Sequence, residues 1–244
     1  MTDLHTHILP GMDDGAKDVE TSLAMLYRQR EQRVRGVALT PHFYREEERP
    51  EHFFHRRQKA WDRLRQGMDR AGGMFPELIL GAEVAWVPGM NRWDGLERFC
   101  LGESRYMLLE LPDAPWKSTM IDQIYDMAEG GGIVPILAHL DRYFRSQKPE
   151  YIRELLGTGV PVQISAESMM HLLQRRGVAK RIKDAENCML ISDCHDLVHR
   201  TPNLNQGFVQ ARKSLPPEQV SAMRRYSQTI FEQAAGKEQE YAQK

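Results

Sequence analysis

The chain has 244 residues, of which 41% are hydrophobic and 27% are charged, so it can bury a large core and is neither disordered nor fibrous. Lysine and arginine (33) nearly balance aspartate and glutamate (34), so no overall charge attracts nucleic acid or an anionic membrane. The three cysteines form no CxxC pair, which argues against a disulfide framework and against a zinc–thiolate knuckle. This cysteine content is typical of a protein in the reducing cytoplasm.

Short β-like segments alternate with helix-like segments along the chain. The predicted strands cover residues 3–9, 35–40, 77–84, 106–111, 133–138, 160–165 and 188–192. Helices are predicted after the N-cap residue Asp18, over about 50–70 and 118–129, in segments between the later strands, and after Pro202 and Pro216. Seven alternating strands predict an α/β fold with a closed parallel barrel, and we expect residues 1–244 to form one domain. An open doubly wound sheet is the alternative fold, but the sequence lacks the Gly-rich turn that usually follows the first strand of such a sheet.

Metal-ligand side chains follow six of the seven predicted strands. These residues are His5, His7, His42, Glu83, Glu110, His139, Asp193 and His195. The carboxyl ends of barrel strands share one rim, and residues two apart on a strand point to the same face. Asp14, in the turn Asp13-Asp14-Gly15, can lean over that rim. The pattern predicts a metal site, whereas three histidines outside it are expected at the surface: His52, His55 and His171.

Cys194 and Arg200 match the cysteine, five residues, arginine pattern of thiol-based tyrosine phosphatases. The intervening residues contain no glycine, and the acids Asp193 and Asp196 would raise the pKa of the thiol. Because Cys194 lies between two residues of the metal pattern, we expect its side chain to point into the apolar core. We therefore predict no thiol mechanism.

Taken together, these motifs resemble the polymerase and histidinol phosphatase (PHP) superfamily, and within it the metal-dependent protein tyrosine phosphatases of bacterial capsule and exopolysaccharide gene clusters. The matching residues are 3–7, 8–15, 40–42, 81–83, 109–110, 138–143 and 192–195, in the family's order. Departures are Ala16, where the family often has proline, and Ser227-Gln228 in the final helix. The resemblance implies a distorted (β/α)7 barrel with three divalent metal ions.

The resemblance also implies a role for each matching residue. One ion would be held by His5, His7, Glu83 and Asp193, a second by Glu83, Glu110 and His139, and a third by Asp14, His42 and His195. Arg142 and Arg200 match the two phosphate-binding arginines and are the expected catalytic residues. A mixed imidazole and carboxylate set without thiolates fits manganese, iron or zinc, and we expect manganese first.

This residue set suits the hydrolysis of phosphomonoesters. Four carboxylates against three divalent ions leave a charge of about +2, which can hold a phosphate dianion. Divalent ions also lower the pKa of bound water to about 7, and two arginines can fork onto the phosphate oxygens. Asp13 and His199 are the only candidates for a general acid, and each also fits a plain turn or surface role.

We therefore predict a metal-dependent protein tyrosine phosphatase. The resemblance suggests that its substrate is the Tyr-rich tail of a bacterial tyrosine kinase in capsule or exopolysaccharide synthesis. One alternative is a small-molecule phosphatase of the histidinol-phosphate type, or a phosphodiesterase, on the same site. Another is a non-catalytic regulatory partner with structural metals. No nucleic-acid partner and no membrane anchor are expected, and the oligomeric state is left open.

Overall fold

The computed structural model describes residues 1–130, 132–157 and 159–237, which contain nine β-strands and seven α-helices. The strands are β1 (Thr2–Asp3), β2 (Gly36–Leu39), β3 (His42–Phe43), β4 (Glu77–Leu80), β5 (Glu83–Ala85), β6 (Tyr106–Glu110), β7 (Val134–Leu137), β8 (Val162–Ser165) and β9 (Cys188–Ile191). The helices are α1 (Val19–Glu31), α2 (Pro50–Ala71), α3 (Ser118–Gly130), α4 (Pro149–Gly157), α5 (Leu172–Ile182), α6 (Leu204–Ala211) and α7 (Pro217–Ala234).

All strand pairs are parallel, and they form two sheets of order β1-β2-β4 and β3-β5-β6-β7-β8-β9. The sheets are continuous, because β2 leads through two residues into β3 and β4 leads through two residues into β5. An isolated parallel bridge between Thr6 and Cys194 joins the first strand segment to the last. The result is a closed, distorted (β/α)7 barrel, which confirms the predicted fold class.

Two predicted strands differ from the observed ones. The segment 77–84 is not one strand but two, β4 and β5, which belong to different sheets. Gly81 lies at the break between β4 and β5. A Cβ atom at this position would lie 2.5 Å from the Leu101 side chain, so the close packing here requires glycine. The segment 3–9 is regular only at β1. Beyond it the pairing is irregular, as the amide of His7 donates to the carbonyl of Cys194 at 2.9 Å.

The predicted helix boundaries follow from local chemistry. The carboxylate of Asp18 accepts a hydrogen bond from the amide of Thr21 at 2.8 Å and so caps α1. Gly72 ends α2 in the left-handed conformation, with φ 61°, and its amide donates to the carbonyl of Met68. Asp18 is the predicted N-cap of α1, and α2 ends one residue beyond its predicted end near residue 70.

The barrel interior is filled by alternate residues of the strands. A small apolar cluster takes one or two residues from most strand segments of the barrel, namely Leu4, Ala38, Ile79, Leu108, Ile136, Met189 and Ile191. Helix α7 adds Ile230, Phe231 and Ala234 to the same cluster, and the ring of Phe231 sits against Gly36 at the start of β2. A Cβ atom at Gly36 would lie 2.7 Å from this ring. Helix α7 thus covers the amino-terminal end of the barrel, and the polar side chains collect at the opposite end.

Candidate metal centre

All nine residues predicted as metal ligands lie in one cluster at one rim of the barrel. Short distances between imidazole nitrogens and carboxylate oxygens, 2.8–3.9 Å, connect every member of the set. The members are His5, His7, Asp14, His42, Glu83, Glu110, His139, Asp193 and His195. These residues form three overlapping groups, and within each group the donor atoms lie within 4.8 Å of one another, as a metal ion requires.

Glu83, on β5, lies at the middle of the cluster and faces four histidines. Its Oε2 atom is 2.9 Å from His5 Nε2, 3.3 Å from His7 Nε2 and 3.1 Å from His42 Nδ1. Its Oε1 atom accepts from His139 Nε2 at 2.8 Å. The two oxygens of one buried carboxylate therefore face different sets of imidazoles, which is the position that a bridging ligand needs.

Asp193 follows β9 and has two different oxygen environments. Its Oδ1 atom lies 3.5 Å from His5 Nε2 and 3.4 Å from His7 Nε2, and it is buried without a hydrogen-bond partner. A buried carboxylate oxygen without a partner is costly, and a cation between the imidazoles would satisfy it. The Oδ2 atom instead accepts from both Arg142 and Arg200. The side chains present therefore fit a divalent cation at Oδ1.

A third part of the cluster lies nearer to solvent. His195 Nε2 is 3.2 Å from Asp14 Oδ1, and His42 Nε2 is 3.6 Å from the same oxygen. The turn that carries Asp14 is held against the barrel, because Gly15 packs on His7 so closely that a Cβ atom would lie 2.1 Å from the His7 carbonyl oxygen. Only glycine fits at this position, and the turn therefore places Asp14 above the two histidines.

The backbone is strained at two members of the cluster. His139 and Asp193 have φ angles of 31° and 52°, in the left-handed region that side-chain-bearing residues avoid. Among non-glycine residues of the described ranges, only Arg33 shares this feature. Such strain costs about 1–3 kcal/mol per residue and is concentrated at functional sites.

The surroundings keep the two central carboxylates ionised. Burial by itself would raise the pKa of Glu83, but His5, His139 and His7 hold that pKa well below its usual range. Burial opposes ionisation of Asp193 as well, and here His5 and His7 again lower the pKa well below normal. Both side chains are therefore anionic donors at neutral pH.

Other members of the cluster titrate differently. Burial and the charge of Glu83 raise the pKa of Glu110 to about 7. Burial, with the charges of His7 and Arg200, lowers the pKa of His195 to about 4, and burial also lowers the pKa of His42. Metal ligation needs neutral imidazole, so His42 and His195 already have the required protonation state at pH 7.

Asp13 is not free to act as a general acid. Its carboxylate accepts from His7 Nδ1 at 2.7 Å and from the amides of Gly15 and His42, each at 3.0 Å. Burial opposes ionisation, but these contacts, above all with His7, lower the pKa of Asp13 below its usual range. Asp13 therefore fixes the orientation of His7, so that Nε2 faces the cluster.

Replacing Asp13 with asparagine is expected to weaken metal binding by about 10- to 100-fold, because the imidazole of His7 loses its charged partner. Calorimetric titration of the metal-stripped variant with Mn²⁺ measures this change. Excess Mn²⁺ should restore most of the lost activity, since Asp13 supplies no donor atom to the cluster. Unchanged metal affinity in the variant would show that Asp13 is only a turn residue.

Sequence reasoning missed a second orienting residue, Gln163. It lies on β8, the one predicted strand without a ligand-type residue, and its Oε1 atom is 2.8 Å from His5 Nδ1. Asp141 plays a comparable part for the turn after β7, because its carboxylate accepts from the amide of Ser165 at 2.8 Å. A polar residue inside the fully buried strand β8 is the sequence signal that could have identified Gln163.

The residues predicted to lie outside the site do so. His52, His55 and His171 are exposed. His199, the second candidate for a general acid, is also exposed, but it lines the cavity that contains Asp193 and Arg200. Cys194 is fully buried in the apolar core. Burial raises the pKa of its thiol far above normal, as expected for a structural cysteine and not for a nucleophile.

Serine at position 194 is expected to retain most activity, because Gln29 Nε2, now 3.6 Å from the sulfur, can pair with the new hydroxyl. Iodoacetamide should inhibit the native enzyme only slowly, whereas a chelator should inactivate it within minutes. Initial rates with p-nitrophenyl phosphate measure both effects. Loss of all activity in the serine variant with metals still bound would contradict this assignment.

Known proteins resemble the chain along most of its length. The profile of the family described as "Capsular polysaccharide synthesis, CpsB/CapC" matches residues 1–231. The tyrosine-protein phosphatase CpsB of Streptococcus pneumoniae is 26% identical over 226 residues, which cover 85% of this chain and 88% of that protein. The tyrosine-protein phosphatase YwqE of Bacillus subtilis (strain 168) is 25% identical over 249 residues, with coverage of 96% and 94%.

A solved structure shares the fold. It comes from a crystallographic study of YwqE from Bacillus subtilis and CpsB from Streptococcus pneumoniae, described as unique metal-dependent tyrosine phosphatases. It superposes with a TM-score of 0.78 at 22% identity, and the match covers 95% of this chain and 94% of that chain.

None of the described helices has the length and apolar character needed to cross a lipid bilayer. The match over residues 1–231 shows that the chain belongs to the CpsB/CapC family of capsular polysaccharide synthesis.

Proposed function

We propose that the protein is a metal-dependent phosphatase that hydrolyses phosphotyrosine on proteins. One observation carries the proposal: the carboxylate of Asp193 turns one oxygen toward the imidazole cluster and the other toward Arg142 and Arg200. Two guanidinium groups thus meet the metal-type residues at one point. A phosphate group there can contact cations on one side and two planar donors on the other.

We further propose three divalent ions, with manganese first and iron or zinc as alternatives. The ligand sets would be His5, His7, Glu83 and Asp193; Glu83, Glu110 and His139; and Asp14, His42 and His195. His42 also lies close enough to Glu83 and Glu110 to share the second set, with Nδ1 at 3.1 and 3.9 Å from their oxygens. When bound, such ions neutralise phosphate charge and lower the pKa of water.

The side chains of the protein then have separate tasks. Arg142 and Arg200 bind and orient the phosphate oxygens, on which charge grows as the ester bond breaks. Arg200 Nη1 also lies 2.8 Å from His195 Nε2, so the arginine is held at the edge of the cluster. Asp13 and Gln163 hold His7 and His5 in orientation through their Nδ1 atoms.

We infer that the site has no strong general acid to protonate a leaving group. Asp13 is ionised and engaged, and Glu110 belongs to the proposed ligand set, where a cation keeps it ionised. His199 lines the cavity of Arg200 but is exposed to solvent, and its imidazole makes no hydrogen bond among the described residues. The leaving group must therefore depart as an anion. Tyrosine, whose pKa is about 10, leaves far more readily than an aliphatic alcohol such as serine.

An aromatic cleft beside the cluster supports a tyrosine-containing substrate. The cleft has a volume of about 590 Å³, and its walls include Tyr44, Trp86 and Trp116. Tyr44 stacks on His42 with ring centroids 5.3 Å apart, and the amide of Trp86 donates to the carbonyl of Glu110 at 2.8 Å. The cleft therefore adjoins the proposed metal ligands and has room for a tyrosyl ring.

The kcat/KM for phosphotyrosine peptides is expected to exceed that for phosphoserine peptides and for histidinol phosphate by at least about a hundredfold, which corresponds to about 2.7 kcal/mol. Rates are measured on metal-stripped protein and after Mn²⁺ is added back. Equal rates on alkyl phosphates would favour the small-molecule phosphatase, and turnover of bis(p-nitrophenyl) phosphate would favour a phosphodiesterase. Absence of any metal-dependent turnover would favour the non-catalytic regulatory partner.

The proposal extends to the biological setting. We propose that the substrate is the phosphorylated, Tyr-rich tail of a bacterial tyrosine kinase that controls capsule or exopolysaccharide synthesis, and that the protein acts in the cytoplasm as one phosphatase domain over residues 1–244. Three free, buried cysteines support a reducing compartment. The contribution of segments from His5 to His195 to one cluster supports a single domain.

A further inference from the structure

A second basic pocket adjoins the proposed phosphate-binding arginines. It has a volume of about 310 Å³, and its walls include Arg142, Arg145, Gln174 and Arg181. We call it the second arginine pocket. Arg142 and Gln174 also line the neighbouring cavity of about 260 Å³, which contains Asp193 and Arg200. The two cavities are therefore contiguous, and Arg142 stands between them.

Two of the three arginines of this pocket, Arg145 and Arg181, have no ion-pair partner among the described residues. No described carboxylate lies within the 4.0 Å ion-pair distance of Arg145 or Arg181, and Arg142 pairs with Asp193 alone. The one acidic residue in the described lining is Asp141. Its carboxylate is buried and bound by the amide and hydroxyl of Ser165, at 2.8 and 3.2 Å. The guanidinium groups of Arg145 and Arg181 are thus available to a ligand.

Arg181 is held in place for such a role. Its guanidinium group lies 5.4 Å from the centre of the Phe144 ring, and Nη1 donates to the carbonyl of Gly177 at 3.1 Å. Arg145 lies on the facing turn after β7, where its backbone amide donates to the carbonyl of Tyr143. Its guanidinium group makes no hydrogen bond or ion pair among the described residues. The two guanidinium groups can bind an anionic group between them. Because Arg181 is already held in place, it loses little side-chain entropy when the anion binds.

We propose that the second arginine pocket binds an anionic side chain of the substrate, a few residues away from the phosphotyrosine. The proposal rests on the proposed phosphatase function, because the phosphotyrosine is taken to occupy Arg142 and Arg200. The ligand chemistry is a carboxylate or a second phosphate on the same peptide. Charge complementarity selects this occupant, since the free groups at the pocket are guanidinium donors.

The test compares peptides that contain one phosphotyrosine and, at successive flanking positions, glutamate, glutamine or a second phosphotyrosine. At the best position the native enzyme should prefer the glutamate peptide over the glutamine peptide by about tenfold in kcat/KM. In R145Q and R181Q the ratio should fall, and in the double variant it should approach one. The ratio is taken within each variant, so that any general loss of activity cancels.

Arg70→Gln is the matched control, because Arg70 is an exposed arginine at the last turn of α2, and it should retain the native ratio. An unchanged ratio in the double variant, or no preference in the native enzyme, would overturn the subsite while leaving phosphotyrosine hydrolysis intact. If no peptide were hydrolysed, the proposed function itself would fail. A larger preference for the second phosphotyrosine than for glutamate would identify phosphate as the ligand, and equal preferences would identify any anion.

Discussion

Alanine at position 193 is expected to abolish phosphatase activity, with kcat/KM lower by at least about a thousandfold, or about 4 kcal/mol. Asp193 joins two parts of the centre, because Oδ1 faces His5 and His7 while Oδ2 accepts from Arg142 and Arg200. The substitution removes an anionic donor from the proposed metal set and releases both arginines. Metal content should fall as well, since His5, His7 and Glu83 alone bind a divalent ion less tightly.

Two measurements test this expectation together: hydrolysis of p-nitrophenyl phosphate, and metal per protein determined by mass spectrometry. His5→Ala should behave in the same way, because it removes another proposed donor of the same set. Asp69→Ala, an exposed acid on α2, serves as the control for loss of a carboxylate elsewhere. Full activity with normal metal content in either D193A or H5A would contradict the proposed centre.

The second large effect is expected at the two arginines. R142A and R200A should each lower kcat/KM by about 10²- to 10³-fold, because each removes a donor from the place where phosphate charge develops. Lysine at either position should recover little of this loss, since it cannot make the planar two-point contact. Both arginines bind the same oxygen of Asp193, so the double variant should lose less than the two single losses combined.

Metal content distinguishes a direct role of the arginines from an indirect one. Neither side chain supplies a donor atom, so both variants should hold their metals when Mn²⁺ is saturating, and they should bind inorganic phosphate more weakly in competition assays. Recovery of full activity with excess Mn²⁺ would show that the arginines act only by holding Asp193 in place. That result would remove them from the phosphate site.

Some features of this protein could be read from local sequence. Asp18 and Gly72 mark helix ends because caps act within one turn of the chain. The carboxyl ends of parallel barrel strands meet at one rim, so ligand-type residues at strand ends come together whatever the detailed packing. His42 and Glu83 are an example: each comes three residues after a strand, β2 or β4, and the short strands β3 and β5 pair them directly. The cluster could therefore be predicted before the barrel was seen.

The remaining features depend on contacts between distant parts of the chain. Gln163 orients His5 across 158 positions, and no spacing rule links residues that far apart. Asp13 has the side chain of a turn residue or an acid, and only its packing against His7 makes it an orienting group. The shared contact of Arg142 and Arg200 with Asp193 is of the same kind. Sequence determined which chemical groups reach the rim, whereas the barrel's closure and side-chain packing decided which of them touch, because those contacts are set by register and distance in three dimensions.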